Sequence, residues 1–572
     1  MVKQNEILLK QRDEWLYFSE PHEIIAVSKL ENVPEALNEI ERLVEERGWH
    51  AAGFLSYEAA PAFDPALLTH AGDGFPYLWF GLYPPPRAVP LPQPGSSRIN
   101  PDWQATVDRN SYDSAIERIR EYIARGRTYQ VNYTMRLQAA FDARPWEFFL
   151  QLAQTQNQHG AYIDTGRYVI CSASPELFFA LDGETLTCQP MKGTVKRGRT
   201  TEEDQAQANW LQSSEKNRAE NVMIVDMIRN DLGRIAKTGS VRVPALFQVE
   251  RYSTLWQMTS TVTARTDASL SRIFTSLFPC ASITGAPKIS TMKIIHELET
   301  TPRRIYTGTI GHFSPGRKAS FNVAIRTALI DCQERKAEYG IGGGIVWDST
   351  SPDEYAEALL KARILTEGSP SFSLLETMLW TPGGGFQFQN RHMDRLLDSA
   401  AYFGFPVSRA AIQEELERLT RVLDQPHRVR LLLDHKGKIE IISAPFSFES
   451  KPVRAALARG PVNSNEIFLF HKTTRREAYD LARAERPGYD DVLLHNERGE
   501  LTEFTIGNLV VELDGELVTP PVICGLLAGT FRAELLETDK VVERVIPLHR
   551  LKECAKIYRV NSVRKWEEVI IS

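Results

Sequence analysis

The chain has 572 residues, of which 42% are hydrophobic and 24% charged, and its formal net charge is −6. This length predicts two or three globular domains, and the lack of a basic excess argues against nucleic-acid binding. With no apolar stretch of ~20 residues, no signal segment and no CxxC pair among its six cysteines, the sequence predicts a reduced, cytoplasmic protein without a membrane segment.

Two punctuated stretches divide the sequence. The first, Pro84 to Pro101, is rich in proline and predicts an extended connector. The second, Glu367 to Ser373, follows a helical pattern and precedes a new apolar run, so we place a domain boundary there. The sequence thus predicts a front domain over 1–366, with an N-terminal subregion 1–104 and a core 105–366, and a rear domain over 367–572.

Helix and strand patterns are mixed along the front domain. The segments SYDSAIERIREYIARG and ENVMIVDMIRNDLGRI have the apolar spacing of helices, and YVICSASPELFFAL predicts two strands around a turn. ASFNVAIRTALI and YGIGGGIVWDS predict further strands, the second opened by glycines. This mixture indicates an α/β or α+β fold with pairing between distant strands.

Several acidic residues of the front domain have a spacing that suits metal binding. Glu354 and Glu357 are three residues apart on a predicted helix, which places both carboxylates on one face, and Lys361 follows one turn later. Together with Glu220 from a second predicted helix, they can hold Mg²⁺ through oxygen ligands. The alternative is that they are solvated surface charges.

Other residues of this domain suit the binding of an anion. A run of glycines allows backbone amides to approach an anion, or else forms a bulge. Arg326 suits a carboxylate, or a structural ion pair. Lys192, between a proline and a glycine in PMKGT, is either positioned for chemistry or solvated. The glycines are Gly340, Gly342, Gly343 and Gly344.

The order of these motifs resembles a known family. CSASPELFF, PMKGTVKRG, RAENVMIVDMIRNDLGR, ASITGAPK, YTGTIGHFS, AIRT and GIGGGIVWDSTSPDEYAE follow one another over roughly 105–366. This set resembles the chorismate-utilising enzymes, which include anthranilate, aminodeoxychorismate, isochorismate and salicylate synthases. The resemblance implies that family's fold of layered sheets with helices, and chorismate as substrate.

The resemblance also implies roles for single residues. Glu220 and Glu357 correspond to Mg²⁺ ligands, and Glu176 to a general acid that protonates the departing C4 hydroxyl. The remaining positions correspond to substrate-binding residues: Gln130, Ser282, Thr284, Tyr306, Arg326, Gly342, Gly343, Gly344, Glu354 and Lys361.

Three positions discriminate within the family. Water-using members carry a lysine base where this chain has Gln130, and glutamine cannot deprotonate water. Anthranilate synthases usually carry a small residue at Lys192, whereas aminodeoxychorismate synthases have a lysine that adds to C2 before ammonia attacks C4. Such a lysine must be neutral to attack. Gln257, where many relatives have histidine, favours a front domain that stops at aminodeoxychorismate without expelling pyruvate.

The source of ammonia is expected to lie outside this chain. No nucleophile-elbow GxCxG motif with a downstream histidine and glutamate is found in the sequence. We therefore expect either free ammonia or a separate glutamine amidotransferase subunit, and physiologically the second, because little ammonia is unprotonated at neutral pH.

The rear sequence resembles the fold-type IV enzymes that use pyridoxal 5'-phosphate, including amino-acid aminotransferases and aminodeoxychorismate lyase. The resemblance implies that Lys472 binds the cofactor covalently and that Glu503 pairs with the pyridine nitrogen. It implies a role for Arg391 at the phosphate, and a homodimer through this domain. Further phosphate contacts are implied for Ile506, Gly507 and Thr530.

The fusion of these two halves predicts synthesis of 4-aminobenzoate, a folate precursor, by an aminodeoxychorismate synthase step followed by a lyase step. The first alternative is an aminotransferase in the rear half, because both reactions begin with the same lysine. The second is a non-catalytic rear module. The third, an anthranilate synthase, is opposed by Lys192.

Overall fold

A computed structural model describes residues 2–11, 14–95, 98–154, 158–252, 254–366, 372–448 and 451–572. The chain divides into two compact units, Met1–Lys196 with Ala208–Ser369, and Arg197–Gln207 with Pro370–Ser572. The predicted boundary at Glu367 to Ser373 falls largely on 367–371, which lies outside the described residues.

Two ten-stranded sheets dominate the described part of the first unit. In spatial order, the first sheet contains Gly285–Ala286, Gln130–Ala140, Lys336–Ile345, Thr327–Asp331, Tyr168–Ser174, His159–Asp164, Ile7–Gln11, Glu14–Phe18 and Arg87–Val89, with Gln104–Ala105 beside Gln130–Ala140. The second contains Met191–Lys196, Leu255–Arg265, Thr185–Gln189, Leu177–Asp182, Lys318–Val323, Thr309–Ser314, His50–Leu55, Leu78–Tyr83 and Glu23–Val27, with Arg242–Arg251 beside Leu255–Arg265.

Helices cover the outer faces of these sheets. One core cluster joins the first sheet to its helices, another joins the second sheet to its helices, and a third lies between the sheets. These helices are Val33–Arg47, Arg109–Ala124, Pro145–Ala153, Glu215–Gly233, Leu270–Leu277, Lys288–Leu298 and Ser351–Thr366. A further helix, Thr201–Ser213, is divided between the two units after Gln207. The predicted layered architecture and the predicted helices at Glu220 and at Glu354 are confirmed.

Two strand predictions need correction. ASFNVAIRTALI forms two strands, Lys318–Val323 and Thr327–Asp331, which belong to different sheets because the chain turns at Arg326. The glycines of YGIGGGI lie inside the strand Lys336–Ile345 instead of opening it, and the strand ends before VWDS. In both cases the apolar pattern continues across a turn, so periodicity alone does not reveal the break.

The strands before residue 90 are integral to both sheets. Strand Arg87–Val89, inside the predicted connector, pairs with Glu14–Phe18 in the first sheet. Strand His50–Leu55 pairs with Thr309–Ser314 in the second sheet. The N-terminal subregion therefore completes the front fold.

The second unit combines a small sheet with a larger one. The small sheet orders Gly385–Phe386, Leu374–Thr381, His427–Leu433 and Ile439–Pro445. The larger orders Leu501–Phe504, Asp491–His495, Val453–Leu457, Lys565–Ile571, Lys556–Asn561, Gly507–Leu513, Glu516–Thr519 and Val542–Glu543. Leu501–Phe504 also pairs with Gly507–Leu513, which closes six strands into a ring. The helices are Gln389–Phe403, Arg409–Thr420, Glu477–Ala484 and Thr530–Glu537. No helix among the described residues is long and apolar enough to cross a membrane.

Candidate active sites

The glycine strand Lys336–Ile345 lies where several predicted residues of the first unit meet. It pairs antiparallel with the strand that begins at Gln130. A Cβ atom on Gly344 would overlap Nε2 of Gln130 and would lie 2.6 Å from Nζ of Lys192. Because Gly344 has no side chain, Gln130 and Lys192 approach the same point from two different sheets.

The side-chain amide of Gln130 has the character of a ligand-binding group. Gln130 is fully buried, and neither its amide nitrogen nor its amide oxygen has a hydrogen-bond partner among the described residues. Burial of an unpaired polar group costs about 1–3 kcal/mol. A bound substrate that hydrogen-bonds to Gln130 would remove this penalty.

A group of charged side chains lies beside the next glycine. A Cβ atom on Gly343 would lie 3.2 Å from Oε2 of Glu354, 3.6 Å from Nζ of Lys361 and 4.0 Å from Oε1 of Glu357. Nζ of Lys361 is 2.9 Å from Oε1 of Glu357 and donates to the carbonyl of Gly342 at 2.8 Å. The predicted carboxylates of helix Ser351–Thr366 are therefore adjacent to the predicted glycine run.

The predicted Mg²⁺ ligands fit the ion in kind, since carboxylate oxygens are the donors that Mg²⁺ prefers. Glu220, on helix Glu215–Gly233, and Glu357 both act electrostatically on Lys192. Within the described ranges, no group of three or more histidine, cysteine, aspartate or glutamate side chains is close enough to hold a metal. Glu357 pairs instead with Lys361, and the metal site remains a prediction.

Lys192 lies on strand Met191–Lys196 in an environment that favours its neutral form. Burial lowers the pKa of Lys192 below its ordinary value, while the charge of Glu220 acts in the opposite direction. Gln257 holds the next residues of this strand: its Nε2 donates to the carbonyl of Gly193 at 2.8 Å, and its Oε1 accepts from the hydroxyl of Thr194 at 3.1 Å. Gln257 thus supports the strand that carries Lys192, a role that depends on strand register and that sequence spacing does not reveal.

Glu176 lies where the chain crosses from strand Tyr168–Ser174 of one sheet to Leu177–Asp182 of the other. It is buried, and burial raises its pKa to about 7. Its Oε1 accepts a hydrogen bond of 2.6 Å from the hydroxyl of Ser282. A carboxyl group with this pKa can be protonated at neutral pH, as a general acid requires.

Ser282 and Thr284, both predicted to bind substrate, contact the protein instead of facing open space. Ser282 donates to Glu176, and Sγ of Cys280 lies 3.2 Å from the Ser282 hydroxyl. The hydroxyl of Thr284 donates to the carbonyl of Cys280 at 3.1 Å. In this structure Ser282 supports the predicted acid, and Thr284 stabilises the turn before it.

Replacement of Ser282 by alanine is expected to raise the pKa of Glu176, because the Ser282 hydrogen bond stabilises the carboxylate form. Since a general acid must be protonated to act, the alkaline limb of the chorismate conversion that the sequence resemblance implies should move to higher pH, by about one unit. The ratio of variant to wild-type rate at each pH cancels the titration of ammonia. Ser290→Ala is the control. If the alkaline limb of Ser282→Ala does not shift, Ser282 does not tune the pKa of Glu176.

Arg326 provides a partly buried positive charge that has no carboxylate partner among the described residues. Its backbone adopts a left-handed φ of 50°, which is uncommon for a residue with a side chain and is found at functional sites. In the described chain, its guanidinium has no carboxylate partner, and burial lowers its pKa. An arginine without a carboxylate partner, as Arg326 is here, suits an anionic substrate.

Tyr306, another residue predicted to bind substrate, is buried, and the Arg136 guanidinium lies 5.2 Å from its ring centre.

In the second unit, Lys472 follows the buried His471 and precedes helix Glu477–Ala484. Burial, together with the charge of Arg395, lowers the pKa of Lys472 to about 8. The carbonyl of Lys472 accepts a hydrogen bond from the amide of Leu375 at 2.9 Å, which fixes its backbone against the small sheet. A lysine with this pKa is available as a neutral amine near physiological pH.

Glu503 lies at the pairing that closes the six-stranded ring, opposite Asn508. One oxygen accepts from the hydroxyl of Tyr479 at 2.8 Å and the amide of Leu527 at 3.0 Å, and the other from Nδ2 of Asn508 at 3.0 Å. Burial raises the pKa of Glu503 to about 7, and the charge of Lys472 lowers it. Glu503 and Lys472 therefore act on each other within one site.

Two arginines on helix Gln389–Phe403 differ in environment. Arg391, the predicted phosphate ligand, forms ion pairs of 2.8 and 2.6 Å with Glu534 and Glu537. Arg395 is one turn further along, and it acts on Lys472 and pairs with buried Glu376 at 2.7 Å. Helical spacing alone could not decide which arginine faces the lysine, and sequence reasoning missed Arg395.

The other predicted phosphate contacts lie in two places. Thr530 is buried at the start of helix Thr530–Glu537, with its hydroxyl 3.3 Å from Nε2 of His392. His392 in turn contacts Glu376 at 2.6 Å. Ile506 is about half exposed in the turn between paired Phe504 and Gly507. Thr530 is thus linked through His392 to Glu376, which also pairs with Arg395. Ile506, in contrast, lies at the tip of a hairpin.

Comparison with known proteins finds one family match in the front part of the chain and another in the rear part. Residues 86–367 match the family described as chorismate binding enzyme, and residues 373–570 match amino-transferase class IV. The chain is 38% identical over 279 residues to aminodeoxychorismate synthase component 1 of Bacillus subtilis, covering 48% of this chain and 59% of that protein. For the same component of Escherichia coli the identity is 39%, over 47% of this chain and 60% of that protein.

A solved structure confirms the front fold. Anthranilate synthase component I from Streptococcus pneumoniae aligns with a TM-score of 0.55 at 23% identity, covering 64% of this chain and 93% of that chain. The chain therefore spans about three fifths of the two curated relatives and nearly all of this solved chain.

Proposed function

Because the chain joins a chorismate binding enzyme domain to an amino-transferase class IV domain, we propose that it makes 4-aminobenzoate from chorismate and ammonia in two steps. The observation that carries the front half is the approach of Lys192, Gln130 and the Glu354 carboxylate to adjacent glycines. For the rear half, the observation is that Arg395 and Glu503 both act electrostatically on Lys472.

In the front step, Lys192 is the nucleophile. Its amine adds to C2 of chorismate as the C4 hydroxyl leaves, and Glu176 supplies the proton to that hydroxyl. Ammonia then attacks C4 and releases Lys192, which leaves an amine at C4. Mg²⁺, held by Glu220 and Glu357, would position a substrate carboxylate and screen its charge. Arg326 and the amide of Gln130 orient the substrate.

In the rear step, Lys472 moves the proton. The chemistry supplied by bound pyridoxal phosphate is withdrawal of electrons from the substrate amine. Once the substrate amine has displaced it from the cofactor, Lys472, with its pKa lowered to about 8, removes the proton at C4. The C3–O bond then breaks, and the released enolpyruvyl group takes up a proton and becomes pyruvate. Glu503 supports the pyridine nitrogen, and Arg395 and the Thr530 hydroxyl serve the phosphate, to which the predicted Arg391, paired with Glu534 and Glu537, contributes little.

The experiment that tests this proposal is product analysis. The purified chain is incubated with chorismate, ammonium, Mg²⁺ and pyridoxal phosphate, and the products are identified by mass spectrometry. We expect 4-aminobenzoate and pyruvate in equal amounts. Accumulation of aminodeoxychorismate without pyruvate would instead support an aminotransferase or a non-catalytic rear domain, and anthranilate would overturn the role of Lys192.

We propose that ammonia comes from a separate glutamine amidotransferase subunit, as the component 1 names of the relatives suggest. We also propose a homodimer through the rear domain and a cytoplasmic location, which suits six free cysteines. Activity with glutamine should appear only after addition of such a subunit. The mass of the assembly in solution tests the dimer.

The two arginines of helix Gln389–Phe403 provide a matched pair. Arg395→Lys is expected to weaken pyridoxal phosphate binding at least about tenfold, because lysine cannot reproduce a guanidinium contact with both Glu376 and a phosphate. Arg391→Ala should change the affinity less than about threefold, since Arg391 pairs with Glu534 and Glu537, whereas Arg395, although paired with Glu376, also acts electrostatically on Lys472. Fluorescence titration measures the affinity of both variants for pyridoxal phosphate. A larger loss of affinity in Arg391→Ala than in Arg395→Lys would assign the phosphate contact to Arg391.

A further inference from the structure

A short segment from the front half of the sequence belongs to the second unit. Residues Arg197–Gln207, here called the 197–207 segment, directly follow strand Met191–Lys196 in the chain but group with Pro370–Ser572. They lie outside the residues 373–570 that match amino-transferase class IV. The second unit is therefore completed by residues that its own family match does not include.

The 197–207 segment is held by a buried ion pair and an aromatic ring. Nε of Arg197 is 2.6 Å from Oδ1 of Asp204, and both side chains are less than 8% exposed. The guanidinium of Arg197 lies 4.3 Å from the ring centre of Tyr402 and donates to its carbonyl at 3.0 Å. The Tyr402 hydroxyl donates to the carbonyl of Gly198 at 2.6 Å. A desolvated pair with this many partners has the geometry that offsets its desolvation.

The turn at Gly198 leaves no room for a side chain. A Cβ atom on Gly198 would overlap the backbone of Glu203 and Asp204. The amide of Gly198 also donates to Oδ1 of Asp204 at 3.0 Å. The close approach and this hydrogen bond define a tight turn, after which the Arg199 carbonyl contacts a neighbouring side chain.

That neighbour is His471, the residue before Lys472. Nε2 of His471 is 3.1 Å from the carbonyl of Arg199, and Nδ1 is 3.0 Å from the hydroxyl of Ser399. Since a carbonyl only accepts, Nε2 must carry the hydrogen and Nδ1 must accept from Ser399. Burial lowers the pKa of His471 to about 4, so the ring stays neutral in this tautomer.

We infer that the 197–207 segment is a positioning element of the rear active site, in which the Arg199 carbonyl orients His471 and thereby the backbone that presents Lys472. A second contact holds this backbone: the Lys472 carbonyl accepts a hydrogen bond from the amide of Leu375. With His471 and the Lys472 carbonyl both held, the backbone presents the Lys472 amine within electrostatic range of Glu503 and Arg395. This inference rests on the proposed role of Lys472 in binding pyridoxal phosphate.

The test uses the full-length chain with three variants and a control. Arg197→Ala removes the buried pair, Gly198→Ala disturbs the turn without changing charge, and Tyr402→Phe deletes one hydroxyl. Arg418→Ala removes an exposed ion pair elsewhere in the second unit and is the matched control. Front activity, measured as loss of chorismate, shows that the first unit of each variant is folded, and thermal unfolding followed by circular dichroism tests the second unit.

Three readouts are recorded: the affinity for pyridoxal phosphate, the yield of cofactor trapped on Lys472 by borohydride, and the pH midpoint of the cofactor absorbance. We expect affinity to fall at least about tenfold in Arg197→Ala and Gly198→Ala and about threefold in Tyr402→Phe, with a shifted pH midpoint in all three. Arg418→Ala should stay within about twofold of the wild type.

The outcomes separate the inference from the proposed function. If the wild type binds pyridoxal phosphate on Lys472 and the three variants match it in affinity and pH midpoint, the positioning role is wrong and the proposed function stands. If the wild type binds none, the proposed rear function fails and the inference fails with it. If Arg197→Ala or Gly198→Ala does not fold, Tyr402→Phe decides, because it removes one oxygen atom only.

Discussion

Replacement of Lys192 by alanine is expected to reduce conversion of chorismate to aminodeoxychorismate by at least roughly 1,000-fold, the order of loss seen when an enzyme loses its nucleophile. Nζ of Lys192 would lie 2.6 Å from a Cβ atom on Gly344, beside the unpaired amide of Gln130. The other described lysine near these glycines, Lys361, is held by Glu357 and the carbonyl of Gly342.

The control for this experiment is Lys196→Ala, because Lys196 is exposed at the end of the same strand. Intact-protein mass spectrometry without ammonia adds a direct readout. The wild type and the control should carry a covalent adduct of chorismate minus water, and Lys192→Ala should carry none. Full activity of Lys192→Ala, or an adduct that persists in it, would exclude Lys192 as the nucleophile.

Replacement of Lys472 by alanine is expected to stop the reaction at aminodeoxychorismate, with release of pyruvate reduced by at least roughly 1,000-fold. Lys472 combines two properties that few lysines share. Burial and the charge of Arg395 lower its pKa to about 8, so that it can act as a base near neutral pH. The amide of Leu375 donates to the Lys472 carbonyl and fixes its backbone, so the side chain extends from a fixed position.

The matched control is Lys556→Ala, an exposed lysine on a strand of the ring. The visible absorbance of lysine-bound cofactor should be lost only in Lys472→Ala, while loss of chorismate continues in both variants. Should Lys472→Ala still release pyruvate at the wild-type rate, elimination would not depend on this lysine. If the wild type itself stalls, the rear half does not catalyse elimination.

The sequence allowed the local elements of the front site to be predicted, but not all of their contacts. Helix Ser351–Thr366 was predictable because Glu354, Glu357 and Lys361 share one face of a regular helix. The strand break at Arg326 was not predictable, because apolar residues continue on both sides of it. The contact between Ser282 and Glu176 spans 106 positions, and no local pattern encodes such a distance.

The rear site shows the same limit. Lys472 and Glu503 were expected from ordered motifs, and the structure brings them into mutual electrostatic range. The choice between Arg391 and Arg395 depends on which side of helix Gln389–Phe403 faces the lysine. The contribution of Arg197–Gln207 depends on packing between segments that are more than 160 residues apart in the chain.

The discontinuity of the second unit has a consequence for how the chain is synthesised. During translation, at about 5–20 residues per second, Arg197–Gln207 leaves the ribosome roughly 20–70 s before the last residue is added. Until Tyr402 and His471 emerge, Arg197 lacks the ring that packs on its guanidinium, and the Arg199 carbonyl lacks its imidazole partner. The front half therefore carries an unfinished surface while the rest is made, and a gene cut between the two halves would leave each product with half of that contact.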